Sequence, residues 1–440
     1  MPSSEQSRDA LRVAIVAEHA SAQFGGEAIL PVHYFRLLRA RGVDAYLVTH
    51  GRTQTELEAL FPRERGRMFF VPDTWLNRLL WRLGRLLPHH LDLVTFTALG
   101  HVYTGLRARR VVRRLVREKG VNVVHQPIPV SAKEPSVFTD LGAPLVIGPL
   151  NGNMDWPKSF NHYDSFLTRL GMSIARFGAV LFNFLFRGKQ QAAVVLVANE
   201  RTRRGLPPGL RGQVATVPEN GVDLQLWQRE PENRRPDGVT RFVYLGRIEG
   251  FKGVRHLMTA FARASREAPM RLEIIGDGSD RGAVERMRAE LELGDRVRMV
   301  GWLVQEVAAA RLAISDVLVM PSLRDCGGAV ILEGMACGLP IIATAWGGPL
   351  DYVDQTCGIL VPPRDEESFV AGLADAMMTL AKDPDLRRRL GEGGRQRVIN
   401  EFDWERKIDH MLAVYAAVRS GSPLPVSTER ALQTAEVGAP

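Results

Sequence analysis

Short apolar runs alternate with stretches of helical spacing along most of the chain. Residues 11–17 (LRVAIVA) form a β-rich run, a glycine-containing loop follows, and residues 29–41 carry the apolar spacing of a helix. Ala45–Thr49 reads as a second strand, so the chain opens β–loop–α–β. Runs at 121–124 (VNVV), 144–148 (PLVIG) and 194–198 (VVLVA) continue the series. The pattern restarts at 241–245 (RFVYL) and passes through 271–275, 296–300, 316–320 and 340–344, with helical stretches between. Such alternation predicts parallel sheets covered by helices. Two doubly wound α/β domains fit it, 10–205 and 210–402, joined near 205–215, where GLPPGLRG is rich in Gly and Pro. An amphipathic helix at roughly 403–418 returns to the N-terminal domain, and 1–9 and 421–440 read as flexible termini. Two such domains facing each other make a cleft at the carboxyl ends of their sheets, where ligands bind in open α/β folds.

Composition narrows the class. Of 440 residues, 45% are hydrophobic and 24% charged, which excludes a wholly disordered chain, a collagen and a coiled coil. The net charge is +8, and residues 76–119 alone hold ten Arg/Lys against two acids, an excess equal to that of the whole chain. A general nucleic-acid binder would spread its charge, so no nucleic-acid partner is expected; the excess points to one surface that meets something anionic. Arg-rich codon usage is the plainer explanation, since only seven of the 57 basic residues are Lys. Within this segment Leu76, Leu79, Leu80, Leu83 and Leu87 share one helical face, and Arg78, Arg82 and Arg85 the other, the make-up of an interfacial helix drawn to anionic lipid. The arginines of 105–119 read equally as the water-facing side of a helix covering the strand at 121–124.

Cys326, Cys337 and Cys357 form no CxxC and suit a reducing compartment. The N-terminal residues show no apolar core before a cleavage site, and the longest apolar run, Phe177–Phe186, is short and bracketed by Arg176 and Arg187. The expected location is the cytoplasm, with peripheral contact on the inner face of the plasma membrane.

The strand at 241–245 runs into Gly246-Arg247-Ile248-Glu249-Gly250-Phe251-Lys252-Gly253. Arg and Lys five apart at a strand-to-helix junction with glycines suit a diphosphate, and on their own the two equally read as solvated loop charges. The stretch 321–349 places Asp325 at a strand end, Gly327-Gly328 at a helix start and Glu333 eight residues after Asp325. Helix-start amides can receive an anion, and a carboxylate inside the helix can accept both hydroxyls of a ribose.

This stretch resembles the Glu-x7-Glu signature of the retaining glycosyltransferases of the GT-B fold, family four. With the Gly-Arg…Lys-Gly loop, Ile275-Gly276-Asp277-Gly278, Asn220-Gly221-Val222-Asp223 and the Gly25-Gly26 loop, the resemblance covers nearly the whole chain. It implies two Rossmann-like domains and a nucleotide-sugar donor. Arg247 and Lys252 would hold the diphosphate, Glu333 the ribose, and Asp325 the donor-sugar hydroxyls, with amides from Gly327 and Gly328. Gly276, Asp277 and Gly278, with the chain near Gly301-Trp302, would border the nucleoside. Gly25 and Gly26 would approach the phosphates and sugar, and His125 resembles the family histidine near the donor sugar, although it also reads as an ordinary strand residue. The first acid here is Asp325 rather than Glu, one methylene shorter, which loosens any inference about the sugar.

The resemblance implies transfer with retention, the leaving phosphate taking the acceptor proton, with no metal and no cofactor. The only Asp-x-Asp, Asp383-Pro384-Asp385, reads as a helix cap. The expected acceptor is a glycan or lipid-linked sugar in cell-surface or exopolysaccharide synthesis. Asn151 and Trp156 sit where the family varies with acceptor; Trp156 fits either stacking on a sugar or core packing. A nucleotide-sugar epimerase or hydrolase of the same fold, or a non-catalytic sugar-nucleotide-binding subunit, is the alternative.

Overall fold

The computed structural model describes residues 10–23, 26–86, 95–163, 171, 178, 181–229 and 237–425. Of the termini expected at 1–9 and 421–440, residues 1–9 and 426–440 lie outside the described residues, as do Gly25, Leu87 and part of the run Phe177–Phe186. The chain divides into two compact units. The first holds residues up to Asn153, then Asp164–Glu219, and the last helix from Lys407; the second holds Met154–Tyr163 and Asn220–Arg406. The division thus falls at Glu219, beyond the Gly/Pro-rich 205–212.

The first unit is a seven-stranded parallel sheet of β1 (Arg12–Val16), β2 (Asp44–His50), β3 (Met68–Val71), β4 (Val123–Gln126), β5 (Leu145–Leu150), β6 (Val194–Val197) and β7 (Gln213–Thr216), ordered β3-β2-β1-β4-β5-β6-β7. Strands β4, β5 and β6 are buried throughout, as a parallel sheet covered on both faces requires. The helix Leu30–Ala40 connects β1 to β2, with Pro31 in its first turn, where a missing N–H costs nothing. The 24-residue helix Phe96–Lys119 packs over β1, β2 and β3 through Thr104, Ala108, Val112 and Leu115, and ends where Gly120 turns left-handed at φ 65°.

The second unit is six-stranded and parallel: β8 (Thr240–Leu245), β9 (Met270–Ile275), β10 (Val297–Gly301), β11 (Val317–Met320), β12 (Ile341–Thr344) and β13 (Gly358–Val361), ordered β10-β9-β8-β11-β12-β13. Its core joins Phe242, Tyr244, Leu257, Phe261 and Phe369 on one face to Val243, Leu318, Ile331 and Met335 on the other. In each unit the first and fourth strands are neighbours, Ile15 pairing with His125 and Val317 with Phe242. Connections leave those two strands towards opposite faces, so a crevice opens at their carboxyl ends.

Strands β3, β7 and β13, four-residue edge strands that are only partly buried, have no counterpart in the sequence pattern. Asp383 caps the helix Pro384–Arg397, its carboxylate accepting the Leu386 N–H at 2.8 Å.

The tightest backbone approach follows β9. Gly276 has φ 139°, and a Cβ there would lie 1.9 Å from the Gly246 carbonyl oxygen. Gly276→Ala should therefore cost about 2 kcal/mol or more of stability. Chemical denaturation measures it, and a loss below about 0.5 kcal/mol would show that the two loops part easily.

Candidate active site

In the second unit the loops that follow β8, β9 and β10 are laced together. The Tyr244 hydroxyl donates to the Arg247 carbonyl at 2.6 Å, the Ile248 N–H to the Asp277 carbonyl at 2.9 Å, and the Gly276 N–H to the Gly301 carbonyl at 2.8 Å. A Cβ on Gly278 would lie 2.3 Å from the Ile248 carbonyl oxygen. Gly276, Asp277 and Gly278 are thereby brought against the loop that carries Arg247. The Asp277 carboxylate is exposed and sits 3.4 Å from Arg281.

Arg247 is exposed, and its guanidinium lies 5.5 Å from the centre of the Phe251 ring. The Lys252 ammonium lies 5.6 Å from the same ring, so one aromatic side chain carries both cations. Gly253 takes a left-handed φ of 69°, and a Cβ there would lie 2.1 Å from the Pro321 carbonyl oxygen. The Leu323 N–H donates to the Phe251 carbonyl at 2.9 Å. This close approach puts the loop after β8 against the loop after β11, where Lys252 forms an ion pair with Asp325. Both side chains are mostly buried, at 12% and 14% exposure, so the carboxylate expected to meet sugar hydroxyls here also positions the lysine. The Gly348 N–H donates to the Asp325 carbonyl at 2.7 Å and holds that loop from its other side.

Gly327 is half-buried, and Gly328 turns left-handed at φ 68° to begin the helix Ala329–Ala336. Glu333 lies on that helix. Desolvation pushes its pKa up to about 8, although the residue as a whole is only half-buried, and its carboxylate has no hydrogen bond or ion pair among the described residues. Hydroxyl donors from a ligand would favour the ionised form, which the protein alone leaves unsupported.

The remaining sequence-predicted residues are placed differently. Gly26 opens a short 3-10 turn in the first unit at φ 55°, whereas Gly25 is outside the described residues. His125 is fully buried, with Nε2 donating to the Gly148 carbonyl at 2.7 Å and Nδ1 accepting from the Tyr415 hydroxyl at 2.7 Å. The Tyr34 ring packs edge-on at 4.6 Å. With both nitrogens engaged, His125 ties the sheet to the last helix, Trp404–Ser420, and offers no atom to a sugar, a correction to the expected catalytic role. Asn151 is likewise interior: its amide nitrogen donates to Glu219 at 2.6 Å, and its oxygen accepts from Asn199 and Arg201. Trp156 belongs to the second unit, packs in its core with Phe160, stacks on Tyr163 at 5.6 Å, and lies under the Arg324 guanidinium at 5.9 Å. Core packing, not sugar stacking, is its role.

Sequence reasoning missed Phe251, whose ring reads as one more apolar residue until both cations are seen to share it. It also missed Glu18, His101 and Glu134, which come together in the first unit from positions far apart in the chain. The nearest signal was the glycine-containing loop after β1, which drew attention to Gly25 and Gly26 rather than to the residues just before them.

Two Rossmann-type units, the second with a cationic loop beside a glycine-started helix, define the GT-B architecture of glycosyltransferases. Sucrose-phosphate synthase from Thermosynechococcus elongatus has the same fold, with a TM-score of 0.64 at 20% identity over 94% of this chain and 100% of that one. Anabaena HepE, solved in complex with UDP, gives a TM-score of 0.62 at 14% identity over 92% of this chain and 100% of that one. Residues 227–397 match the family model of glycosyl transferases group 1. Glycogen synthase from Mycobacterium tuberculosis is 32% identical over 213 residues, 48% of this chain and 50% of that protein. The chain spans about half the length of the curated relatives it matches. Residues of the second unit thus resemble the glycosyl transferases group 1, and the chain has the GT-B fold.

Burial holds the His125 pKa down at about 4, against 6.5 when unfolded. Between those values the unfolded chain binds a proton that the folded chain refuses, so stability should fall by about 3 kcal/mol as pH drops through this window. His125→Gln should flatten that part of the pH–stability profile, measured by denaturant unfolding. Parallel profiles for the two proteins would count against a neutral buried imidazole.

Proposed function

We propose that the chain is a retaining glycosyltransferase that moves a hexosyl group from a nucleoside-diphosphate sugar to an acceptor hydroxyl in cell-surface or exported polysaccharide assembly. The observation that carries this reading is the pairing of Arg247 and Lys252 on one aromatic platform beside the glycine-started helix that bears an unpartnered Glu333. Breaking the sugar–phosphate bond leaves negative charge on the diphosphate. The two cations, held by Phe251 and Asp325, meet that charge with little reorganisation, and the N-terminal end of the helix adds its dipole. Glu333 accepts the ribose hydroxyls. The leaving phosphate takes the acceptor proton, so no protein base and no metal is assigned. HepE supports UDP as one donor nucleotide to test.

The acceptor side includes a membrane surface. The helix Trp75–Gly84 starts with a capping box between Thr74 and Asn77, and buries Asn77 and Gly84. Trp75, Leu79, Trp81 and Leu86 are exposed instead, at 70%, 41%, 58% and 79%, and so are Arg78, Arg82 and Arg85. The leucines described do not all share one face apart from the arginines, as their spacing predicts: Leu76, Leu80 and Leu83 are half-buried, and Leu79 shares the outer surface with the arginines. Indole rings beside guanidinium groups suit the headgroup region of an anionic bilayer. In the helix Phe96–Lys119, by contrast, Arg109 donates to the Thr139 carbonyl at 2.7 Å and Arg107 to the Pro72 carbonyl at 2.6 Å, so part of the basic excess straps loops. No helix among the described residues is long and apolar enough to cross a membrane.

Incubation with labelled UDP- and GDP-sugars, with and without acceptor glycans, tests the reaction. Lys252→Ala and Glu333→Ala should each lower kcat/KM about 10- to 100-fold, since each removes a charged contact. Absence of transfer, of donor hydrolysis and of any thermal shift with nucleotides would refute the reading.

Sedimentation with phosphatidylserine-containing vesicles tests the surface. Binding should weaken as salt rises, and Trp81→Ser with Arg82→Glu should reduce it at least about tenfold. Equal binding to neutral vesicles would remove the electrostatic role.

A further inference from the structure

A cavity of about 540 Å³ lies wholly within the first unit, at the carboxyl ends of β1, β2, β3 and β4 and under the helix Phe96–Lys119. It falls within the size range of small-molecule sites and is far larger than the voids a packed core tolerates. Its apolar wall includes Val16, Val71, Val102, Ala108, Val137 and Phe138. The helix turns small side chains towards it, Ala98 and Ala108 among them, and carries Gly105, where a Cβ would lie 2.8 Å from Val137. Ala98 and Ala108 thus leave room at the wall, while Gly105 lets the helix close against Val137.

The lining also carries polar groups. His101 stands between two carboxylates, with Nε2 3.5 Å from a Glu18 oxygen and Nδ1 3.5 Å from a Glu134 oxygen. Burial lowers the His101 pKa, but the two carboxylates outweigh it and raise the pKa overall, while burial raises that of Glu18. Lys133 also lines the cavity. Two carboxylates, Glu18 and Glu134, flank His101 in the lining and would repel a phosphate. Carboxylate oxygens are acceptors, and the neutral groups that best supply them with donors are hydroxyls.

We propose that this cavity binds the acceptor as a neutral amphipathic molecule, its apolar body against the Val16, Val102 and Phe138 wall and its hydroxylated head on Glu18, His101 and Glu134. The proposal rests on the glycosyl-transfer reading and names the acceptor class for it.

Calorimetric titration of the full chain without donor separates the two. Methyl, hexyl and octyl β-D-glucosides, each below its micellar concentration, should bind with affinity rising towards about fourfold per added CH2. Octyl phosphate should bind at least about tenfold more weakly than octyl glucoside. Ala98→Trp, which fills the cavity, should abolish the dependence on chain length, and His101→Ala should weaken octyl glucoside about tenfold while leaving the chain-length slope in place. Far-UV circular dichroism and an unchanged melting temperature verify that each variant is folded. Affinity independent of chain length, octyl phosphate binding as tightly as the glucoside, or octyl glucoside binding that survives Ala98→Trp in a folded protein would each overturn the proposal. Chain-length-dependent binding without sugar transfer from any donor would leave the cavity assigned and refute the enzymatic reading alone.

Discussion

The approach of Gly253 to the carbonyl of Pro321 is the constraint on which the donor-side site depends. Strands β8 and β11 are neighbours in the sheet but more than seventy residues apart in sequence, and their loops must meet without a side chain between them. A left-handed glycine permits that contact. Phe251 then sets Arg247 and Lys252 on one ring, and Lys252 reaches Asp325. Nearly all cationic positioning in the site follows from one backbone contact and the aromatic residue two positions before it.

The two units use the same strand order for different chemistry. In the second, the crevice beside the first strand is lined by backbone, glycine and charge, a setting for phosphates and hydroxyls. In the first, the corresponding edge closes over an apolar volume with a carboxylate–imidazole–carboxylate cluster in its lining. His125 lies on the strand between these features and the last helix, and its burial makes it a structural pin. Its two hydrogen bonds link β4 to β5 and to Tyr415, so the helix that ends the fold is fastened to the sheet by a neutral imidazole.

The basic excess divides in the same way. Arg107 and Arg109 are drawn back onto carbonyl oxygens, whereas Arg78, Arg82 and Arg85 stand out beside exposed tryptophans. The number of charges is a property of composition. Their use depends on which neighbouring carbonyls and rings the fold brings within reach.

Apolar periodicity determined the alternating α/β plan and most strands, because parallel strands buried on both faces must be continuous apolar runs. It could not show β3, β7 or β13, which are edge strands of four residues. Motif spacing likewise marked Arg247, Lys252, Gly276, Asp325 and Glu333, since loops that follow consecutive strands of one sheet keep their chemistry local in sequence. Side-chain direction is a different matter. A residue at a strand end faces either a helix or a crevice, and only packing decides which, so His125, Asn151 and Trp156 carried plausible chemistry in sequence and proved to be interior. Glu18, His101 and Glu134 show the converse: ordinary in their local contexts, they become a cluster only when tertiary structure closes more than a hundred residues of intervening chain.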